Sequence, residues 1–129
     1  MRRFWITGFA AILSVCVLAS CLAYSGALRL SALGIPHLDF FAHLVFMGLL
    51  AFFADGLFAH RAMARALPLG PVLVLAAAAT DEVLQRFSAN RSSSWSDFVA
   101  DVVGVTVAAV LASRVARGVT ARRDRAPAG

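Results

Sequence analysis

Three pairs of polar residues recur at helical spacing in an otherwise apolar chain: Asp39 and His43, Asp81 and Gln85, Asp97 and Asp101. Each pair is four residues apart and shares one face of a helix. Glu82 follows Asp81, and Arg91 and Ser94 precede the third pair. Proton transfer and oxygen coordination are the chemistry such a set supports. Imidazole changes charge near neutral pH, so His43 held by Asp39 makes a general base, as does a carboxylate crowded by like charges. Glu82, Asp97 and Asp101 offer the hard oxygen ligands that Mg²⁺ or Mn²⁺ takes, which makes a divalent cation a candidate cofactor. Arg91 suits a phosphate. The expected catalytic set is therefore Asp39, His43, Glu82 and Asp97, with Gln85, Arg91, Ser94 and Asp101 as substrate contacts.

Each residue also has an ordinary structural role. Asp39, one turn into its helix, complements a positive helix end, and Asp97 stands three residues after Ser94, the spacing of a capping box. Glu82 and Arg86 have the acid-first spacing of an ion pair, although Glu82 can instead face the site. A single histidine is more often a hydrogen-bonded core residue than a ligand. Asp97 and Asp101 are different, because two carboxylates one turn apart repel. They need a shared proton, an arginine such as Arg91, a protonated His43 or a cation.

The segments that must position these residues are membrane-like. The chain has 129 residues, only 15% of them charged, and a mean hydropathy of +0.80. A core of this size cannot hide so much apolar surface, so lipid must solvate the rest. Apolar runs at about Phe4 to Tyr24, Leu38 to Ala59, Leu67 to Phe87 and Trp95 to Val115 suit helices crossing about 30 Å of hydrocarbon. The third crosses only if Asp81, Glu82 and Gln85 lie within it, near one membrane face. Pro36 and Pro68 stand at helix starts, where a missing N–H costs little. The expected fold is an all-α, polytopic four-helix membrane bundle over residues 1–118, followed by a basic, disordered tail over 119–129.

All twelve basic residues are arginine. The pI near 11.0 arises without any nucleic-acid-binding motif, so membrane orientation explains it better. Arg2, Arg3, Arg61, Arg65, Arg114, Arg117, Arg122, Arg123 and Arg125 fall on one side, and Arg29, Arg86 and Arg91 on the other. By the positive-inside rule both termini are expected in the cytoplasm. Leu18-Ala19-Ser20-Cys21 has the form of a lipoprotein cleavage site, but the preceding run is long enough to be an uncleaved span. Cys16 and Cys21 have no metal or redox spacing.

In this topology the start of the second helix, the end of the third and the start of the fourth meet at the extracytoplasmic side. An ion left alone costs ~2.5–3.5 kcal/mol at mid-membrane and less near the interface, so the polar faces should turn toward one another. Small residues, Ala76 to Thr80 on the third helix and Gly104 with Ala108 on the fourth, permit close approach. The inner half is expected to be apolar, with no second polar station.

Asp39-x-x-x-His43, Glu82-x-x-Gln85-x-Phe87, Arg91-x-x-Ser94-x-x-Asp97 and Gly104 resemble the signature of VanZ-like membrane proteins, over about Pro36 to Gly104. Phe40 stands where that family often has Lys, and Asp101 where it often has Asn. The resemblance implies a small integral membrane protein of a family named for low-level resistance to the glycopeptide teicoplanin. Two functions follow as expectations. One is an enzyme acting on a lipid-linked or cell-envelope substrate, by metal-assisted phosphoryl chemistry or hydrolysis, although no nucleophile elbow, HExxH or phosphate loop is present. The other is a non-catalytic protein that binds an envelope ligand or docks a membrane partner through Arg91 and Ser92 to Ser94. Membrane lipid and a second copy of the chain are further expected partners; nucleic acid is not.

Overall fold

The computed structural model of the chain describes residues 2–29, 33–58, 62–64, 67–91 and 93–124, with backbone alone for 62–64 and 116–124. Arg61, Arg65, Ser92 and Arg125 lie outside the described residues, as do the side chains of Arg117, Arg122 and Arg123. Four helices carry the fold: α1 (Arg2–Tyr24), α2 (Leu38–Leu57), α3 (Leu69–Gln85) and α4 (Trp95–Asp124). A short hairpin, β1 (Ala62–Ala64) paired antiparallel with β2 (Leu67–Pro68), joins α2 to α3.

Three helices are long and apolar enough to cross a membrane: α1, α2 and the Trp95–Val115 part of α4. The third run is shorter than the sequence suggests. Leu67 and Pro68 belong to the hairpin, Pro68 caps α3 in an extended conformation, and Arg86 and Phe87 turn away after Gln85. Its 17 residues measure about 25 Å. Helix α4 instead continues to Asp124, past the Gly118 at which the sequence places the end of the bundle.

Helix α2 is the hub, packing most extensively on α4 and then on α3 and α1. Its contact with α4 is nearly backbone on backbone. A Cβ at Gly104 would collide with the Leu44 carbonyl, and one at Gly48 would stand 3.1 Å from the Gly104 oxygen. Ala100, Gly104, Ala108 and Ala112 continue this small-residue stripe along α4. On α3 the packed stripe is Gly70, Val74 and Ala78; Ala76, Ala77 and Thr80 face outward, so the contact uses one face rather than the whole Ala76 to Thr80 run. Leu50, Ala51, Ala54, Val74, Val105 and Ala108 form the core.

Helix α1 is attached differently, since it buries no residue and touches mainly α2. At its first turns Phe53 lies over Gly8 and Trp5 over Gly56, within a cluster of Phe4, Trp5, Phe52 and Phe53 rings. At its other end Gly26, at φ 77°, closes the helix, its N–H bonded to the Ala23 carbonyl. A side chain there would press on Asn90 at 3.2 Å. Outward faces carry Leu18, Phe41, Val83 and Val107, the surface expected of helices solvated by lipid.

Candidate functional site

The first turns of α2 and α4 bring the imidazole and carboxylates together. His43 Nδ1 and Asp101 Oδ1 are 3.0 Å apart across the tight α2–α4 contact, with the Asp101 side chain 3% exposed and that of His43 17%. Against an ionised carboxylate the ring donates from Nδ1, and in its neutral form this leaves the lone pair on Nε2. The sequence assigned this orienting role to Asp39. Asp39 is four residues back on the same helix and exposed; Asp101 lies across the interface that Gly104 allows to close.

Glu82, expected in the catalytic and metal-binding sets, caps a helix and is not on the cavity lining. Its Oε1 accepts the backbone N–H of Ser94, the residue before α4 begins. In a capping box the acid three residues on does this from the same helix. Here α3 supplies it, which leaves Asp97 free of that duty despite its capping-box spacing. Ser94 bonds Ser96 through their hydroxyls at 2.8 Å, and Ser96 donates to Asp97 Oδ1 at 3.3 Å. The Glu82–Arg86 ion pair does not form among the described residues.

Asp81 organises the opposite wall. It accepts from Tyr24 Oη at 2.9 Å and Gln85 Nε2 at 2.8 Å, while Arg91 approaches it at 3.9 Å and stacks 5.6 Å from the centre of the Tyr24 ring. Asn90 donates to the Tyr24 carbonyl at 2.8 Å. Gln85, expected as a substrate contact, is only 1% exposed, braces Asp81 from behind and is not on the cavity lining. Arg91 pairs with Asp81 rather than with Asp97 or Asp101.

Arg29, Asn90 and Ser96 on the cavity lining, and Tyr24 behind Asp81, are residues that the sequence reading missed at this site. The signal for Tyr24 was present: the chain's only tyrosine, a polar-tipped aromatic at the end of an apolar helix.

These walls enclose a cavity of about 920 Å³ whose lining includes Asp39, His43, Asp81, Arg91, Ser94 and Asp97. Glu82, Gln85 and Asp101 stand behind it as supports. The proposed metal ligands fare worse. Glu82 is committed to Ser94 and Asp101 to His43, and among the described residues no three His, Cys, Asp or Glu side chains form a group that would hold a metal ion.

The chain matches no protein-family model, no curated protein and no solved structure.

The far end of the bundle is not wholly apolar either. Asp55 is buried at 3% exposure near the end of α2, and α3 packs Gly70 against the backbone of Ala54 and Asp55. The expectation of no second polar station therefore fails. A lone acid inside the Leu44 to Leu57 run was its only sequence signal.

Proposed function

We propose that the chain is a multi-pass protein of the bacterial cytoplasmic membrane, VanZ-like, with both termini cytoplasmic and the cavity facing outward. In this reading α3 is the fourth crossing, its polar end at the membrane boundary. Arg2, Arg3 and Arg114 at the end away from the cavity support the orientation, with the sequence excess of arginine beyond them. The site acts on a lipid-linked or cell-envelope substrate by general base catalysis.

One observation carries this: an imidazole fixed by a buried carboxylate across two helices, on the wall of a cavity large enough for a substrate. His43 Nε2 removes a proton from an attacking hydroxyl or water. Asp101 keeps the ring in the tautomer that can do so and balances the imidazolium that forms. Asp97 and Asp39, on the same lining, contribute negative charge beside the protonated ring. Arg91 and Arg29 are placed for an anionic part of the substrate. Hydrolysis or transfer needing only a base fits this set, and no step is assigned to a metal.

A second reading, ligand binding without turnover, is favoured by the cavity's hydroxyl and amide groups, Ser94, Ser96 and Asn90. Comparison of envelope lipids and peptides in a deletion strain restored with wild type, His43→Ala or Ser96→Ala separates the two. Catalysis predicts that His43→Ala fails like an empty vector while its protein level is unchanged. Binding alone predicts that His43→Ala restores most of the phenotype. Teicoplanin susceptibility in the same strains tests the resistance role that the family resemblance implies.

A further inference from the structure

The cavity is not a compact polar pocket at the helix ends; it runs lengthwise between α1 and α2. Val15, Cys16, Ala19, Ser20 and Ala23 line it from α1, the single face of a helix over about two turns. Phe46 and Met47 line it from deeper in α2. Its wall therefore changes character along its length, apolar beside Phe46, Met47 and Val15 and charged beside Asp39, Arg91 and Asp97. Small side chains at Ala19, Ala23 and Ala42 leave the space open. Helix α1 is held at its first turns by the aromatic cluster and at its last by Tyr24 and Asn90, and it buries nothing between. A chain-bearing molecule can enter sideways past such a helix.

The charged end has both signs. Arg29 and Arg91 line it, and so do Asp39 and Asp97, neither of which forms an ion pair with an arginine among the described residues. A purely anionic head would leave the two acids facing like charge, and an uncharged one would leave Asp39, Asp97 and Arg29 without an opposite charge among the described residues. We propose that the cavity takes an amphiphile whose head carries both phosphate and amine, the phosphate toward Arg29 and Arg91 and the amine toward Asp39 and Asp97, with its hydrocarbon chain between α1 and α2. This deepens the proposed function by naming the substrate class of the same cavity, but it concerns binding and not turnover.

The two native cysteines supply the test, because Cys16 lines the cavity and Cys21 is exposed outside it. The purified full-length protein in mild detergent is treated with N-ethylmaleimide in the presence of phosphatidylethanolamine, phosphatidylglycerol or diacylglycerol, and each cysteine is followed by mass spectrometry. Phosphatidylethanolamine is expected to slow Cys16 alkylation by about tenfold at ten times its dissociation constant and to leave Cys21 unchanged. Phosphatidylglycerol and diacylglycerol should protect far less. Equal protection by all three lipids, or none that separates Cys16 from Cys21, overturns the proposal.

Native mass spectrometry adds a geometric arm. Ala19→Phe fills the cavity and should lower phosphatidylethanolamine retention by about tenfold, whereas Leu18→Phe, on the outward face, should not. Equal retention by both variants also overturns it. His43→Ala should still bind the lipid. Loss of chemistry with binding intact would leave this inference standing, and binding without any envelope phenotype would count against the catalytic reading alone.

Discussion

Helix α2 meets two neighbours in opposite ways. Against α4 it is joined through Gly48, Ala51, Gly104 and Ala108, close enough that a methyl group at Gly104 has no room. Against α1 it is joined by aromatic rings at one end, while the other end of α1 is tied to Asp81 of α3 and to Asn90, with a cavity of about 920 Å³ between. The contrast separates two tasks. Contact through small residues holds His43 and Asp101 in register, because backbones that close cannot slide or rotate without collision. Loose attachment leaves room for a ligand against the face that His43 presents. Preorganised groups belong on rigid elements and access belongs beside mobile ones.

The largest test of this contrast strikes the tight side. Gly104→Val places branched carbons on the Leu44 carbonyl and should cost about 3 kcal/mol, read as a large fall in thermal unfolding temperature in detergent. The comparable change on the loose side, Ala19→Val, should cost well under about 1 kcal/mol, since Ala19 borders open space. If the two substitutions destabilise equally, the distinction between the interfaces is wrong.

Next in size is the polar contact across the tight interface. Asp101→Ala leaves the His43 ring nitrogen without its acceptor and should cost about 1–3 kcal/mol and remove function. Asp39→Ala, at an exposed position, should be within about 0.5 kcal/mol of wild type in stability. The order of these two distinguishes Asp101 from Asp39 as the residue that orients His43.

A smaller effect is expected at the cap. Glu82→Ala removes the acceptor of the Ser94 N–H and should cost about 1 kcal/mol, and Glu82→Gln should recover most of it, because the amide oxygen accepts equally well. A metal ligand would not be rescued by Gln in this way. Smallest is the latch on α1: Tyr24→Phe removes a hydroxyl bonded to Asp81 and should cost about 0.5–1.5 kcal/mol while speeding hydrogen exchange in the last turns of α1.

The long apolar runs made α1, α2 and α4 legible, since length and hydropathy alone identify them. The bounds of α3 were harder to read, because Pro68 and Gln85 suit a helix end or its interior and only the hairpin and the following turn decide. Pairing within one helix was also legible: Gln85 does bond Asp81, as spacing of four allows. Pairing between helices was not. Whether His43 meets Asp39 or Asp101, and whether Arg91 meets Asp97 or Asp81, depends on the rotation of each helix about its axis. That rotation is set by the Gly48–Gly104 contact, which a single sequence does not reveal. Tyr24 and Asp55 escaped for a related reason: each stands alone in its run, and grouping by spacing finds only residues that have polar companions.

Function in this reading rests on Asp101 holding His43 with the proton on Nδ1, so that Nε2 is left for the substrate. Nitrogen NMR of histidine-labelled protein in lipid, with His43 assigned by substitution, reads which ring nitrogen carries the proton. Above the pH at which the ring is charged, a single tautomer with protonated Nδ1 and bare Nε2 is expected, lost in Asp101→Ala, which has no acceptor. A ring protonated on Nε2, or a tautomer mixture that Asp101→Ala leaves unaltered, would overturn this assignment.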